Sequence, residues 1–262
     1  MFKKYLIACS LVCITALLSE YLIFSAPVSE QRNVEKEAIY TRILERHQKA
    51  QFYASLNFAD EPIPLDMKRV KTRLDRSIKK MSFHSIRTNR IHRIADRWLG
   101  VVEPILEKQG VPTDFKYIPL IESGFKSGTS EKGASGFWQF MPSTARAYGL
   151  VVNDELDERE DIYKSTLAAA KYIKAMYREF GSWTLAAAAY NIGEGNLRRS
   201  MIRQGEDNYF RLSLNKETAS YVYKLISIKE VIEHPDKYGF GSSSSGAMLA
   251  EVTGSDSASN RL

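Results

Sequence analysis

Apolar residues recur at helical spacing through most of the middle of the chain. Val34, Ala38, Ile39 and Leu44, separated by charged residues, predict an amphipathic helix over Asn33 to about Phe52. The prolines of Asp60-Glu61-Pro62-Ile63-Pro64-Leu65 break any helix and predict an extended crossing. Val70, Leu74 and Ile78 then fall at i, i+4 and i+8 of a second helix, from about Asp66 to Met81. A third helix, from about Thr88 to Gln109, carries Ile91, Ile94, Ala95, Trp98, Val101, Val102 and Ile105, with Gly110 and Pro112 ending it and Pro104 expected to bend it.

Pro112 with Thr113 or Asp114 opens a further helix that runs to Glu122, with a kink expected at Pro119 and an end at Gly124. From Asp161 to Phe180, Ile162, Ala169, Tyr172, Ile173, Met176, Tyr177 and Phe180 form one core stripe closed by Gly181. The small residues from Leu185 to Ala189 allow close helix packing, and Thr218 to Ile232 is a last amphipathic helix. No strand-like alternation is long. The expected fold is mainly α, with at most a small β element near Lys126 to Phe137.

The composition is that of a globular body: 262 residues, 44% hydrophobic and 26% charged, enough for one packed domain with an appendage. A formal charge of +6 is compatible with nucleic acid, anionic lipid or an acidic polymer. Lys and Arg are densest from Lys68 to Arg97, without the glycine-aromatic interleaving of an RNA-binding sheet or any zinc-finger spacing, so they read as a solvated helix face and no nucleic-acid partner is expected. His47, His84 and His92 are scattered, so neither a metal nor a cofactor is expected.

Residues 1–26 read as a signal peptide or membrane anchor: Lys3 and Lys4 precede an apolar run from Tyr5 to Leu18, interrupted at Ser19-Glu20 before Tyr21 to Ala26. Leu6-Ile7-Ala8-Cys9 matches a lipoprotein box only superficially, because the apolar stretch before it is too short. Cys9 and Cys13 are the only cysteines, so a body exported from about Pro27 has no disulfide. The Gly- and Ser-rich stretch from Gly239 to Leu262 is expected to be a flexible tail. The expected plan is a helical extension over 27–110, a catalytic domain over 111–236 and a tail over 237–262, acting as a monomer.

Chemistry concentrates between Tyr117 and Pro142. Glu122 follows Ile118, Leu120 and Ile121 and precedes Phe125, a setting where burial raises a carboxyl pKa and keeps a proton available near neutrality. Gly133, Ala134 and Gly136 allow close backbone approach to a ligand, between Trp138 as an aromatic platform and the amide of Gln139. That combination suits a sugar polymer.

These residues carry a family resemblance. Glu122-Ser123, then Gly133-Ala134-Ser135-Gly136 with Gln139 and Met141-Pro142, resemble the first two motifs of the lytic transglycosylases of the goose-lysozyme-like superfamily. Ala189-Tyr190-Asn191-Ile192-Gly193-Glu194-Gly195 resembles the third and Glu217-Thr218-Ala219-Ser220-Tyr221-Val222 the fourth, in the family's order. Phe137-Trp138 stands where Leu-Met is commonest, and Trp at that place is similar to the membrane-bound lytic murein transglycosylase D branch. The glycan-binding repeats that follow the catalytic domain in many relatives have no counterpart in the tail.

The resemblance implies a lysozyme-like (goose-type) helical domain acting on peptidoglycan glycan strands in the periplasm or cell envelope. Glycosidases ordinarily use two carboxylates, and the motif region offers one. The family's solution, which the resemblance implies here, is attack on C1 by the O6 of the same N-acetylmuramic acid, with Glu122 as acid and then base. It further implies that Ser123 orients Glu122, that Ser130, Gln139, Met141, Tyr190, Asn191 and Tyr221 line sugar subsites, and that Glu217 has a structural or hydrogen-bonding role. From the residues alone, Ser123 could equally cap a helix, Met141 fill core and Tyr221 be one more buried aromatic. A hydrolytic, lysozyme-like enzyme and a silent wall-binding protein remain open as alternatives.

Overall fold

A computed structural model describes residues 28–86 and 89–240. The expected export segment with Cys9 and Cys13 lies outside the described residues, as does the tail from 241 onward. The chain divides into two compact units, 1–55 and 56–262. In the first, helix α1 (Val28–Ser55) begins five residues before the periodicity places it. Val34, Tyr40 and Leu44 on it are exposed, so they are not core. Among the described residues no helix is long and apolar enough to cross a membrane.

The second unit opens with a hairpin, β1 (Asn57–Phe58) and β2 (Glu61–Pro62), antiparallel with Asn57 opposite Pro62. The expected extended crossing is therefore the hairpin's second strand. Ala59 and Asp60 turn it with positive φ, and the Asp114 carboxylate holds the turn by accepting from the Ala59 N–H at 2.6 Å and from Lys229 Nζ at 2.7 Å.

Helix α2 (Lys68–Met81) buries Val70, Leu74 and Ile78, as the spacing predicts. After a short helix α3 (Phe83–Ile86), helix α4 (Arg90–Lys108) buries Ala95, Val102 and Leu106 and runs on through Pro104. A 3-10 turn over Thr113–Tyr117 leads into the five-residue helix α5 (Ile118–Glu122). The expected kink at Pro119 is instead a helix start, because a missing N–H costs nothing in the first turn.

Helix α6 (Pro142–Ala147) and a 3-10 turn at Glu158–Glu160 precede α7 (Ile162–Phe180). Asp161 caps α7 by accepting from the N–H groups of Tyr163 and Lys164 at 2.9 and 3.0 Å, and Gly181 closes it in the left-handed region at φ 67°. Then come α8 (Trp183–Ile192), α9 (Glu194–Gln204) and α10 (Thr218–Glu233). Ala186 to Ala189 of α8 are fully buried, and α8 packs on α7, α9 and α10. Methyl-sized side chains let those backbones approach closely.

Helix α2 packs against α10 and α4 against α7, so these two helices of the expected extension share the second unit with the expected catalytic segment. Residues 237–240 of the expected tail belong to the folded unit. Phe240 is buried, with its ring edge-on to Phe83 at 5.4 Å and 4.2 Å from the ring of His92. The small β element near Lys126 to Phe137 consists of isolated bridges, Thr129 to Ser135 and Ser135 to Phe140.

Candidate active site

Glu122 is the last residue of α5, and the buried side chains of Ile118 and Leu120 anchor that helix. The chain reverses immediately afterwards. Gly124 and Phe125 both have positive φ, 61° and 52°, and the N–H groups of Ser123 and Phe125 donate to the Pro119 carbonyl at 3.1 and 3.2 Å. Phe125 is not a residue that takes this conformation cheaply. Its ring is buried and parallel to Trp98 at 6.2 Å. That packing fixes the turn and with it the half-buried Glu122.

The Tyr221 hydroxyl, brought from α10, donates to Glu122 Oε1 at 2.5 Å. Among the described residues no other hydrogen bond reaches this carboxyl, which leaves Oε2 for a transferable proton. Burial holds the Glu122 pKa above the usual carboxylate value, the Tyr221 bond opposes that rise, the charge of Glu217 adds to it and the charge of Lys224 opposes it. The net direction is upward, as the apolar flanks of Glu122 predict. The Tyr221 phenol is held well above its ordinary value, first by burial and then by the Glu122 charge, so it stays a donor.

The other sequence-derived site residues fall into three groups. Ser123 Oγ lies 2.9 Å from the Phe137 carbonyl and 3.0 Å from that of Pro119, so its hydroxyl ties α5 to the motif loop and does not bond Glu122. Asn191, near the end of α8, donates to Glu217 Oε1 at 3.2 Å and accepts from Thr218 Oγ1 at 2.7 Å, joining the third and fourth motifs. Tyr190 donates to the Trp138 carbonyl at 2.7 Å. Tyr221 and Glu217 thus meet Glu122 by contact and by charge, while Tyr190 and Asn191 brace the elements around it.

Ser130, Gln139 and Met141 belong to the loop between α5 and α6. Ser130 Oγ accepts from the Ala134 N–H at 3.1 Å, and the Gln139 amide donates to the Gly136 carbonyl at 2.9 Å with its backbone at φ 50°. Met141 is 44% exposed at the entrance to α6, which excludes the core-filling alternative. Trp138 is not the platform its sequence setting suggests: it is fully buried, and its indole N–H donates to Thr166 Oγ1 at 2.9 Å. Its ring belongs to an aromatic cluster with Tyr190, Tyr172 and Phe140.

Sequence reasoning missed the residues that shape this loop. Arg159 is buried and donates to the carbonyls of Gly133 and Phe140 at 2.8 and 2.9 Å, while Asp157 neutralises it at 2.6 Å. Glu160 accepts from Ser135 Oγ at 2.6 Å. The signal available was a charged pair flanking a helix start, which is too common to single out. An open cavity of about 470 Å³ adjoins the third motif between α6 and α9, with Tyr148, Tyr172, Glu194 and Asn196 in its wall.

Residues 103–212 match the family model described as the transglycosylase SLT domain. A putative tributyltin chloride resistance protein of Alteromonas sp. (strain M-1) is 32% identical over 146 residues, which is 54% of this chain and 70% of that relative. The chain belongs to the SLT transglycosylase family. Membrane-bound lytic murein transglycosylase D of Escherichia coli (strain K12) is 34% identical to this SLT chain over 140 residues, 51% of the chain. The alignment spans only 31% of that relative's length. Among solved structures, the 70 kDa soluble lytic transglycosylase of Escherichia coli aligns with a TM-score of 0.46 at 17% identity, over 66% of this chain and 31% of that one. The matched SLT stretch includes Glu122 and the first three motifs, while Glu217 and Tyr221 lie beyond it.

Proposed function

We propose that this chain cleaves the β-1,4 bond between N-acetylmuramic acid and N-acetylglucosamine in peptidoglycan, forming a 1,6-anhydro end without water. The observation that carries the reading is one half-buried carboxyl with a raised pKa, held on one oxygen by a phenol donor and open on the other. Glu122 Oε2 gives its proton to the leaving O4 as the C1–O4 bond breaks. The resulting carboxylate then takes the O6 proton as O6 closes on C1. One proton leaves Glu122 and one returns, so no second catalytic carboxylate is needed.

A hydrolytic enzyme of this fold would need a base for water. Glu217 accepts a hydrogen bond from Asn191 and serves here to brace the third and fourth motifs. Ser130, Gln139, Met141, Tyr190 and Asn191 are assigned to the walls of the sugar subsites, and Ser123 positions Glu122 through the backbone. The enzyme works in the cell envelope, with the apolar run of residues 5–26 as export signal or anchor. Mass spectrometry of muropeptides after digestion tests the activity: anhydro ends are one water lighter than reducing ends. Loss of those ends in Glu122→Gln supports the assignment, and reducing ends from the wild type contradict it.

A further inference from the structure

Five cations face one cavity between α2 and α10. Arg73, Arg76 and Lys80 of α2, Lys216 before α10 and Lys224 within it line a space of about 570 Å³. None of the five forms an ion pair with a carboxylate among the described residues, and no acidic side chain lines the space. A solvated helix face does not explain this arrangement, because the charges converge from three segments. The helices that carry them are held together: Ser77 Oγ donates to the Tyr223 carbonyl at 3.1 Å, tying α2 to α10. Met81, Leu214 and Ala219 give the cavity apolar wall between the charges.

One wall residue of the cavity, Lys224, is close enough for its charge to act on Glu122. Tyr221 holds Glu122, and Lys224 follows it by three residues, under one helical turn or about 4.5 Å of rise. Every one of the five cations lies outside the stretch that matches the SLT domain, 103–212. The cavity is therefore lined by segments that flank the matched stretch.

We propose that the cavity between α2 and α10 binds the carboxylates of the short peptides that branch from the muramic acid residues of the glycan, so that the enzyme prefers peptide-bearing strands. This rests on the transglycosylase reading for the placement of a glycan at Glu122. An unpaired cationic pocket is a fixed electrostatic trap for carboxylates, and an apolar wall suits the aliphatic parts of a peptide. A membrane surface could supply anions too, but it offers no reason for a wall residue of the pocket to sit one helical turn from Tyr221, which holds the acid.

The test is binding, measured by calorimetry in the Glu122→Gln background so that the probes survive. The probes are a muramyl tetrasaccharide carrying its peptides and the same tetrasaccharide stripped of them. The peptide-bearing probe is expected to bind about tenfold more tightly, a preference that weakens with salt. Arg76→Glu with Lys80→Glu should abolish the preference and leave affinity for the stripped probe within about twofold. Arg76→Gln with Lys80→Gln should fall between, and melting curves confirm that both variants fold. Equal affinity for the two probes, or a preference that survives charge reversal, overturns the proposal. So does charge-dependent binding to phosphatidylglycerol vesicles without any peptide preference, which would assign the cavity to lipid. Failure of the transglycosylase reading would appear separately, as wild-type digests lacking anhydro ends.

Discussion

Gly136 is where one added carbon should do the most damage without touching Glu122. Its φ is +75°, and a Cβ there would lie 1.9 Å from the Arg159 carbonyl oxygen. An L-residue in the left-handed region costs about 1–2 kcal/mol. The clash is with backbone, so Arg159 must retreat and at least one of its bonds to Gly133 and Phe140 lengthens or breaks. A hydrogen bond to a charged group is worth about 1.5–3 kcal/mol net. Gly136→Ala should therefore cost about 2.5–5 kcal/mol, lowering Tm by roughly 5–20 °C at ~2–4 °C per kcal/mol for a unit of this size. Gly133→Ala is the control: its φ is +85° but a Cβ there meets nothing within 4 Å, so only the backbone penalty of about 1–2 kcal/mol applies. Urea unfolding of the two variants beside the wild type measures both numbers. Equal losses, or a loss under ~1 kcal/mol for Gly136→Ala, would refute the steric argument.

Three further outcomes follow from the same geometry. Because burial raises the Glu122 pKa, the folded chain keeps a proton that the unfolded chain releases around pH 4.5, so this group's stabilising contribution is lost as pH rises through the folded value. The Glu122→Gln variant has no such loss, and its Tm advantage over wild type should grow from pH 4.5 to neutrality; a constant difference contradicts the burial argument. Tyr221→Phe removes the interaction that opposes the rise, so the alkaline limb of kcat/KM, where Glu122 loses its proton, should move to higher pH, and an unmoved or acid-shifted limb counts against the contact. Glu61 accepts from the N–H groups of Trp183 and Thr184 and from Ser182 Oγ at the start of α8, so Glu61→Ala should cost about 1–2 kcal/mol in urea unfolding, and a neutral result would show that α8 is held by packing alone.

Where the signal is local, the chain's residues carry much of this on their own. Val70, Leu74 and Ile78 recur at helical spacing and are buried; Asp161 and Gly181 mark the ends of α7 as capping chemistry dictates. Glu122 drew attention through its apolar flanks, and burial does raise its pKa. What escaped depended on partners far along the chain. Trp138 was expected to face a ligand because its neighbours are small, but its indole N–H finds the Thr166 hydroxyl, which no local pattern reveals. Tyr221, assigned to a sugar subsite by resemblance, is almost fully buried with its hydroxyl on the acid itself. Pro119 was expected to kink a helix because the preceding 3-10 turn has no sequence signature that separates it from α5. The basic cavity read as a solvated helix face because α2 and α10 meet only in the fold.

The central claim is that one glutamate suffices because the substrate carries its own nucleophile. The most direct measurement is the product mass spectrum from wild-type enzyme acting on glycan whose muramyl O6 is fully acetylated, beside the same glycan after deacetylation. The account predicts anhydro ends from the deacetylated chains and no cleavage of the acetylated ones. Efficient cleavage of the acetylated chains to reducing ends would mean that water is the nucleophile, and the single-glutamate mechanism would be wrong.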